Sequence, residues 1–383
     1  VIYFDNSATT PVDPRVAQAM APWHTETYGN PSSLHRSGRH AREAVETART
    51  QVAALIGARA REIVFTASGT EADNLALVGA FEAAEGHLIT SAIEHPAILE
   101  TARALQRRGV AVTYLPVDQV GKVDPAAVWA ALRPNTRVVS IMAASNVVGT
   151  IQPLNEISKI VREAGVLFHT DAVQAVGKLP FDIAVQPIDL LSLSAHKLHG
   201  PKGLGALFVR EGVRLAPIVH GGGQEGGLRS ATENVAGIVG FGRAAELAAA
   251  EMERDNAQAA YLRERLTAGI QAACPQAYVI GDTQDRLPGH LCVGFAGQEG
   301  EAIRLLLALD AAGIAVSTGS ACSASHTAEP SYVLRAMGFD PFRARGALRL
   351  TLGRFNTEAE VDRVVETLPG VVASLRHIAT VRA

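Results

Sequence analysis

Glu62-Ile63-Val64-Phe65-Thr66 opens the run that decides the fold: a short β-branched stretch, a polar turn at Ser68-Gly69-Thr70, then a helical pattern over 70–84. The same alternation repeats downstream. His87-Leu88-Ile89-Thr90 reads as a strand with a helix over 97–108 behind it. Val112-Thr113-Tyr114-Leu115 reads as the next strand, and the helix after it starts behind Asp124-Pro125. That pair is an N-terminal signal, because aspartate caps free N–H groups and proline fits the first turn. Runs over 137–142, 166–170, 190–194 and 206–209 bring the strands to seven. Strands separated by helices of this length need crossover connections, which predicts an α/β protein with a mainly parallel seven-stranded sheet. The helical stretch over 239–273 is expected to leave this unit for a smaller α+β one, with a helix near 301–312, a strand over 347–352 and a final helix from Thr357.

The 383 residues suffice for two domains of ordinary size. With 48% apolar and 19% charged residues the chain suits a well-buried enzyme, and a formal charge of −3 gives no electrostatic reason to expect nucleic acid or an anionic membrane as partner. No apolar run reaches the roughly 20 residues that span a bilayer. The opening Val1-Ile2-Tyr3-Phe4-Asp5 has neither the charged nor the apolar region of a secretion signal. The three cysteines, Cys274, Cys292 and Cys322, are odd in number and far apart, against a disulfide framework or a Cys-x-x-Cys metal site and for a reducing compartment. A soluble, cytoplasmic protein is the expectation.

In open α/β sheets ligands gather past the carboxyl ends of the strands. Four polar segments occupy that position: Ser68-Gly69-Thr70, Glu94-His95, Ser145-Asn146 and Thr170-Asp171. Each follows a different strand, so they are predicted to converge. A fifth, Ser192-Leu193-Ser194-Ala195-His196-Lys197, joins an apolar strand to the Gly-rich run Gly200-Pro201-Lys202-Gly203-Leu204-Gly205. A lysine there is desolvated, which makes its neutral amine accessible for Schiff-base formation, whereas a lone lysine in a turn is more often a surface residue. Asp171 is placed to hold a positive charge at a pyridine nitrogen, although a strand-terminal aspartate by itself is usually a helix cap. Ser68-Gly69-Thr70 opens a helix with small residues, an anion site suited to a phosphate.

Further stretches match one family almost from end to end. They are Phe4-Asp5-Asn6-Ser7-Ala8-Thr9-Thr10-Pro11, Gly29-Asn30-Pro31-Ser32-Ser33-Leu34-His35, Ser68-Gly69-Thr70-Glu71-Ala72-Asp73-Asn74, Glu94-His95-Pro96-Ala97, Ser194-Ala195-His196-Lys197, His220-Gly221-Gly222-Gly223-Gln224-Glu225 and Ser317-Thr318-Gly319-Ser320-Ala321-Cys322. Together they resemble the cysteine desulfurases of the nitrogen-fixation and iron–sulfur-cluster type, within the class V aminotransferase-like enzymes. The resemblance implies a pyridoxal 5'-phosphate-dependent transferase of fold type I. A large cofactor-binding domain would cover 15–250, and 1–14 with 251–383 would form a small domain carrying the catalytic cysteine loop at about 318–332. Lys197 would carry the cofactor as a Schiff base, His95 would stack on its ring and exchange protons, and Asp171 would pair with the pyridine nitrogen. Asn146 and Gln174 would approach the phenolic oxygen. Gly69, Thr70, Ser194 and His196 would hold the phosphate, joined by the partner subunit's Thr232 in a homodimer. Arg349, in Leu348-Arg349-Leu350, matches the family arginine that clamps the substrate carboxylate beside Asn146, a task that bidentate geometry suits.

Gly319-Ser320-Ala321-Cys322-Ser323-Ala324-Ser325-His326 is small, polar and unpatterned, and reads as a mobile loop. Free cysteines are usually buried and inert, which fits Cys274 and Cys292. Cys322 has nothing apolar around it and reads as a nucleophile. The resemblance implies that Lys197 removes the α-proton of L-cysteine and that the Cys322 thiolate attacks the substrate sulfur, leaving a persulfide and L-alanine. His95 would exchange the thiol proton. The loop would then pass sulfur to an acceptor, an iron–sulfur scaffold being the expected one. No intrinsic metal site is expected; a transient contact of Cys322 with a cluster on a docked scaffold is the one metal contact left open. The stretch from Cys322 to Pro330-Ser331-Tyr332-Val333-Leu334-Arg335 resembles the long loop of the housekeeping branch more than the short loop of the branch that often acts on selenocysteine.

The chain departs from the family pattern in two places. Val147, in Ser145-Asn146-Val147-Val148-Gly149, replaces the usual glutamate, so any contact that glutamate organises is missing here, but no proposed catalytic group is lost. Ser325-His326-Thr327-Ala328-Glu329 differs in spacing, and His326 reads as a solvated loop histidine in preference to a tuner of Cys322. An aminotransferase or lyase on the same scaffold, or a catalytically silent interaction module, stay open as alternatives. Cys322 discriminates the first, since transamination needs no thiol there.

Overall fold

The computed structural model describes residues 1–82, 85–319 and 330–381. After the two-residue β1 (Ile2–Tyr3) come β2 (Ile63–Thr66), β3 (His87–Ser91), β4 (Ala111–Leu115), β5 (Thr136–Ser140), β6 (Leu167–Asp171), β7 (Leu190–Ser194) and β8 (Gly205–Val209). The last seven form one sheet in the order β2-β8-β7-β6-β5-β3-β4. From β7 to β4 neighbouring strands are parallel, and β8 runs antiparallel to both β7 and β2. This is the mainly parallel seven-stranded sheet expected from the sequence. Strands β3 and β7 are buried along their whole length, which is why they read as apolar runs without alternation.

Within the central sheet and its helices, two differences from the sequence reading lie at element ends. The strand expected over 137–142 stops at Ser140, and the helix expected over 70–84 stops at Ala80, where Phe81 leaves helical geometry at φ −116°. Asp124 caps helix Pro125–Ala131 by accepting the Ala126 N–H at 2.9 Å, as the Asp-Pro pair predicted.

The second half is built on helix Val235–Ala273, capped by Asn234. Beyond it β9 (Ala277–Ile280), β10 (His290–Phe295), β12 (Ser317–Thr318) and β13 (Ala347–Thr351) form an antiparallel sheet ordered β12-β13-β10-β9, while β11 (Ile314–Ala315) pairs in parallel with β1. Helices Ala302–Ala311 and Glu358–Val381 cover this sheet's apolar side. One apolar cluster fills the space around the central sheet, and a second gathers Phe4, Leu262, Leu266, Ile270, Leu348 and Leu350. Helix Val235–Ala273 serves both, packing Ala244, Leu247 and Ala248 into the first and Leu262, Leu266 and Ile270 into the second.

Charges join the two halves as well. Arg354, just past β13, lies 3.0 Å from Asp13 and 2.8 Å from Asp255 on the long helix, with Arg354 and Asp13 both buried. No helix among the described residues is long and apolar enough to cross a membrane.

Candidate active site

Strand ends place the side chains. Past the carboxyl ends of β2, β3, β5, β6 and β7 the chain forms a cavity of about 310 Å³, lined by Gly69, Thr70, His95, Asn146, Asp171, Gln174, Ser194, His196 and Lys197. Every sequence-predicted group that follows a central strand is therefore in one place. The N-terminal segment closes one wall with Ser7 and Ala8.

On the β2 side, Ser68 caps helix Gly69–Ala80 by accepting the Glu71 N–H at 3.1 Å. The helix start is packed so closely that a Cβ on Gly69 would lie 2.7 Å from the Val173 side chain at Cγ2, and one on Gly205 would lie 2.3 Å from the Ser68 carbonyl carbon. Ser68, Gly69 and Thr70 at this helix start line the cavity, with no room for a larger side chain at position 69.

On the β3 side, His95 caps helix Pro96–Arg107, its Nδ1 accepting the Ala97 N–H at 3.1 Å. An Nδ1 used as acceptor puts the proton of a neutral ring on Nε2. Beside it Glu94 is fully buried, and burial pushes its carboxyl up to about 8.

Asp171, ending β6, accepts the Val173 N–H at 2.9 Å. Burial raises its pKa above the ordinary carboxylate value, and His95 and Lys197 oppose that rise. Asp73, one turn into the helix that starts at Gly69, also lines the cavity; burial and then Asp171 hold its carboxyl well above the usual range. Gln174 donates Nε2 to the Ser7 carbonyl at 2.9 Å, while its buried Oε1 has no hydrogen-bond partner among the described residues.

Lys197 closes a 3-10 turn after β7 and donates Nζ to the carbonyls of Ser7 and of Ala8, the latter at 2.7 Å. Its neighbour His196 pairs through Nδ1 with Thr9 Oγ1 at 3.1 Å, and burial, with Lys197 next, pulls its pKa down to about 4. A neutral His196 therefore brings no charge of its own to this corner.

Arg349 stands behind the cavity wall on β13, almost wholly buried. It donates Nη1 to the Asn146 carbonyl at 2.9 Å and Nη2 to Asp5 Oδ1 at 2.8 Å. Thr232 is exposed and does not line the cavity of the single chain. Cys322 and His326 lie outside the described residues. Val147 is buried in an apolar cluster with Ile93, Met142 and Val148, a setting in which a glutamate would be costly.

Sequence reasoning missed Asp73, Asp5 and the carbonyls of Ser7 and Ala8 as site components. Asp73 and Asp5 sit inside stretches already singled out, but main-chain acceptors leave no mark in a sequence.

Comparison with known proteins fits this geometry. Residues 2–364 match the aminotransferase class-V family. A cysteine desulfurase from Gluconacetobacter diazotrophicus is 50% identical over 381 residues, covering 98% of this chain and 94% of the relative. Among solved structures, a NifS-like protein superposes with a TM-score of 0.91 at 41% identity, covering 97% of this chain and 99% of its own. SspA, solved in complex with cysteine, gives a TM-score of 0.82 at 36% identity, covering 93% of this chain and all of its own (100%). The chain belongs to the class-V aminotransferase family. Within that family it stands with the cysteine desulfurases.

Proposed function

We propose that the cavity binds pyridoxal 5'-phosphate and removes sulfur from L-cysteine, giving L-alanine and a persulfide on Cys322. The observation that carries this reading is the meeting of Lys197, Asp171 and the helix start at Gly69-Thr70 in one cavity. The residues present fit the cofactor. The close-packed floor at Gly69 suits a phosphate at a helix N-terminus. The buried Asp171 suits a protonated ring nitrogen, and the Gln174 Oε1, without a hydrogen-bond partner among the described residues, suits a polar ring substituent. Cysteine as substrate is supported by the cysteine-bound relative SspA.

When bound, the cofactor supplies an electron sink for the pair left on Cα. Thr70, Ser194 and His196 would hold its phosphate, Asn146 and Gln174 would orient its ring, and Lys197 would attach it through Nζ. The same Nζ would move the substrate's α-proton. Arg349 orients the substrate carboxylate from behind Asn146. His95 passes a proton between Nε2 and the substrate thiol. The Cys322 thiolate attacks the substrate sulfur; an S–S bond forms as the C–S bond breaks, and the carbon fragment keeps that electron pair and gains a proton on the way to L-alanine. Passing the persulfide sulfur to an iron–sulfur scaffold or another acceptor completes the cycle.

The exposed position of Thr232, outside its own chain's cavity, fits a homodimer in which the partner subunit's Thr232 completes the phosphate site. We assign 15–250 to the cofactor-binding domain and 1–14 with 251–383 to the small domain, and place the reaction in the cytoplasm, where thiols stay reduced.

The test is sulfide and alanine release from L-cysteine with a reductant, comparing the parent with Cys322→Ala. Equal sulfide and alanine from the parent, with a yellow but inactive variant, is the expected result. A variant as active as the parent would remove Cys322 from the mechanism and leave a lyase or aminotransferase of this fold.

A further inference from the structure

The guanidinium of Arg349 is a charge buried to 1% exposure. A buried charge needs compensation, and leaving one unpaired is strongly unfavourable. Of its neighbours, Asn146 offers only a neutral carbonyl, and the negative charge comes from Asp5 at 2.8 Å. The Arg349 Nε–H has no hydrogen-bond partner among the described residues, so the fork is only partly used.

Asp5 is not a passing partner. Its backbone is fixed by the bridge to Thr351, by the Thr351 N–H donated to Phe4 at 2.7 Å and by the Tyr3 hydroxyl donated to the Asp5 carbonyl at 3.1 Å. Its side chain is the more exposed member of the pair, at 19% against 1%. An α-carboxylate reaching Arg349 therefore meets a fork already holding one carboxylate, with that like charge beside it.

We propose that Asp5 is the resident counter-ion of Arg349 and sets how tightly the site holds an α-carboxylate. This rests on the substrate reading given above, and it makes Asp5 a specificity-determining residue acting through Arg349. By sharing the guanidinium, Asp5 weakens the hold on the substrate and on the amino-acid product alike. Product release is favoured as a result.

The test compares holoenzyme carrying Asp5→Asn with the parent. Asparagine keeps an oxygen acceptor for Nη2 and removes the charge. Charge-assisted hydrogen bonds being about twice as strong as neutral ones, the KM for L-cysteine and the dissociation constant for L-alanine should each fall about tenfold, without a rise in kcat. The alanine constant is read from the cofactor's absorbance, so it does not depend on turnover. Asp5→Ser serves as a second variant with the same expected direction, and Arg349→Ala should raise both constants. With an active parent, constants that stay level or rise in the Asp5 variants overturn this inference alone and leave Asp5 a purely structural residue. A parent that releases no sulfide overturns the proposed function and this inference together.

Discussion

The carboxylate of Glu94 accepts the backbone N–H of Met142 at 3.0 Å, so the segments leaving β3 and β5 are joined beneath the cavity by one buried acid. Ser91 Oγ donates to the same oxygen at 2.6 Å, and the Glu94 carbonyl accepts the Tyr332 hydroxyl at 2.6 Å.

This acid should leave a signature in the pH dependence of stability. Its pKa rises from 4.5 to about 8 on folding, mainly through burial. Between these values the folded state binds more protons than the unfolded one, so stability falls as pH rises. The contribution is fully present below 4.5 and lost as pH passes 8. Melting midpoints of Glu94→Gln should therefore decline less steeply than the parent's across that window. Parallel curves would show that Glu94 does not hold its proton in the folded protein.

Asp171→Asn keeps the shape of the strand end and removes the charge that faces His95 and Lys197. Sulfide release should fall by about a hundredfold or more, the usual scale for losing a preorganised electrostatic partner. The bound cofactor's absorbance should change and its retention on gel filtration weaken. Unaltered spectra and turnover would take Asp171 out of the site.

Gly69→Ala would place a Cβ 2.7 Å from a methyl of Val173. Overpacking of this kind costs about 1–3 kcal/mol, against a smaller gain in helix propensity at the helix start. Urea unfolding should show a net loss, and the cofactor dissociation constant should rise because the floor under the phosphate site is pushed out. A stable variant with parental cofactor affinity would contradict the cradle assignment.

Arg354→Ala would take from Asp13, whose side chain is only 2% exposed, one of its two arginines, leaving Arg15 at 2.8 Å, and would leave Asp255 with Arg254 at 2.7 Å. Leaving a buried charge wholly unpaired costs about 3–5 kcal/mol, and with Arg15 still on Asp13 the loss should fall below that range. Denaturant midpoints should drop accordingly, and Asp13→Asn combined with Arg354→Met should recover part of the loss. Strict additivity in that double variant would mean the pair is not coupled.

The sheet and the cavity were legible because each depends on local pattern. Apolar runs such as Leu190–Ser194, followed by small polar residues, mark buried parallel strands and the turns behind them. Strand β10 escaped notice because His290–Phe295 is buried throughout and has no period to separate it from a helix segment. Arg349 was recognised, but not that it would be buried against Asp5, since 344 residues separate the two. His290 is a further case: its Nε2 donates to the Val147 carbonyl at 3.0 Å and its Nδ1 accepts from the Ser7 hydroxyl at 3.2 Å, a tautomer set by two distant partners.

The seating of Asp5, Ser7 and Ala8 bears on how the protein is made. Asp5 holds Arg349, the Ser7 N–H is held by Thr351 Oγ1 at 2.9 Å, and the Ser7 carbonyl receives both Gln174 and Lys197. On the ribosome this segment emerges some 344 residues ahead of Arg349 and Thr351, which at ordinary elongation rates is a wait on the order of tens of seconds. Until its end the wall of the cavity lacks the holds that Arg349 and Thr351 supply, although every central strand, Gln174 and Lys197 have by then been synthesised. A nascent chain can therefore build its sheet early and still lack a finished site until translation reaches β13.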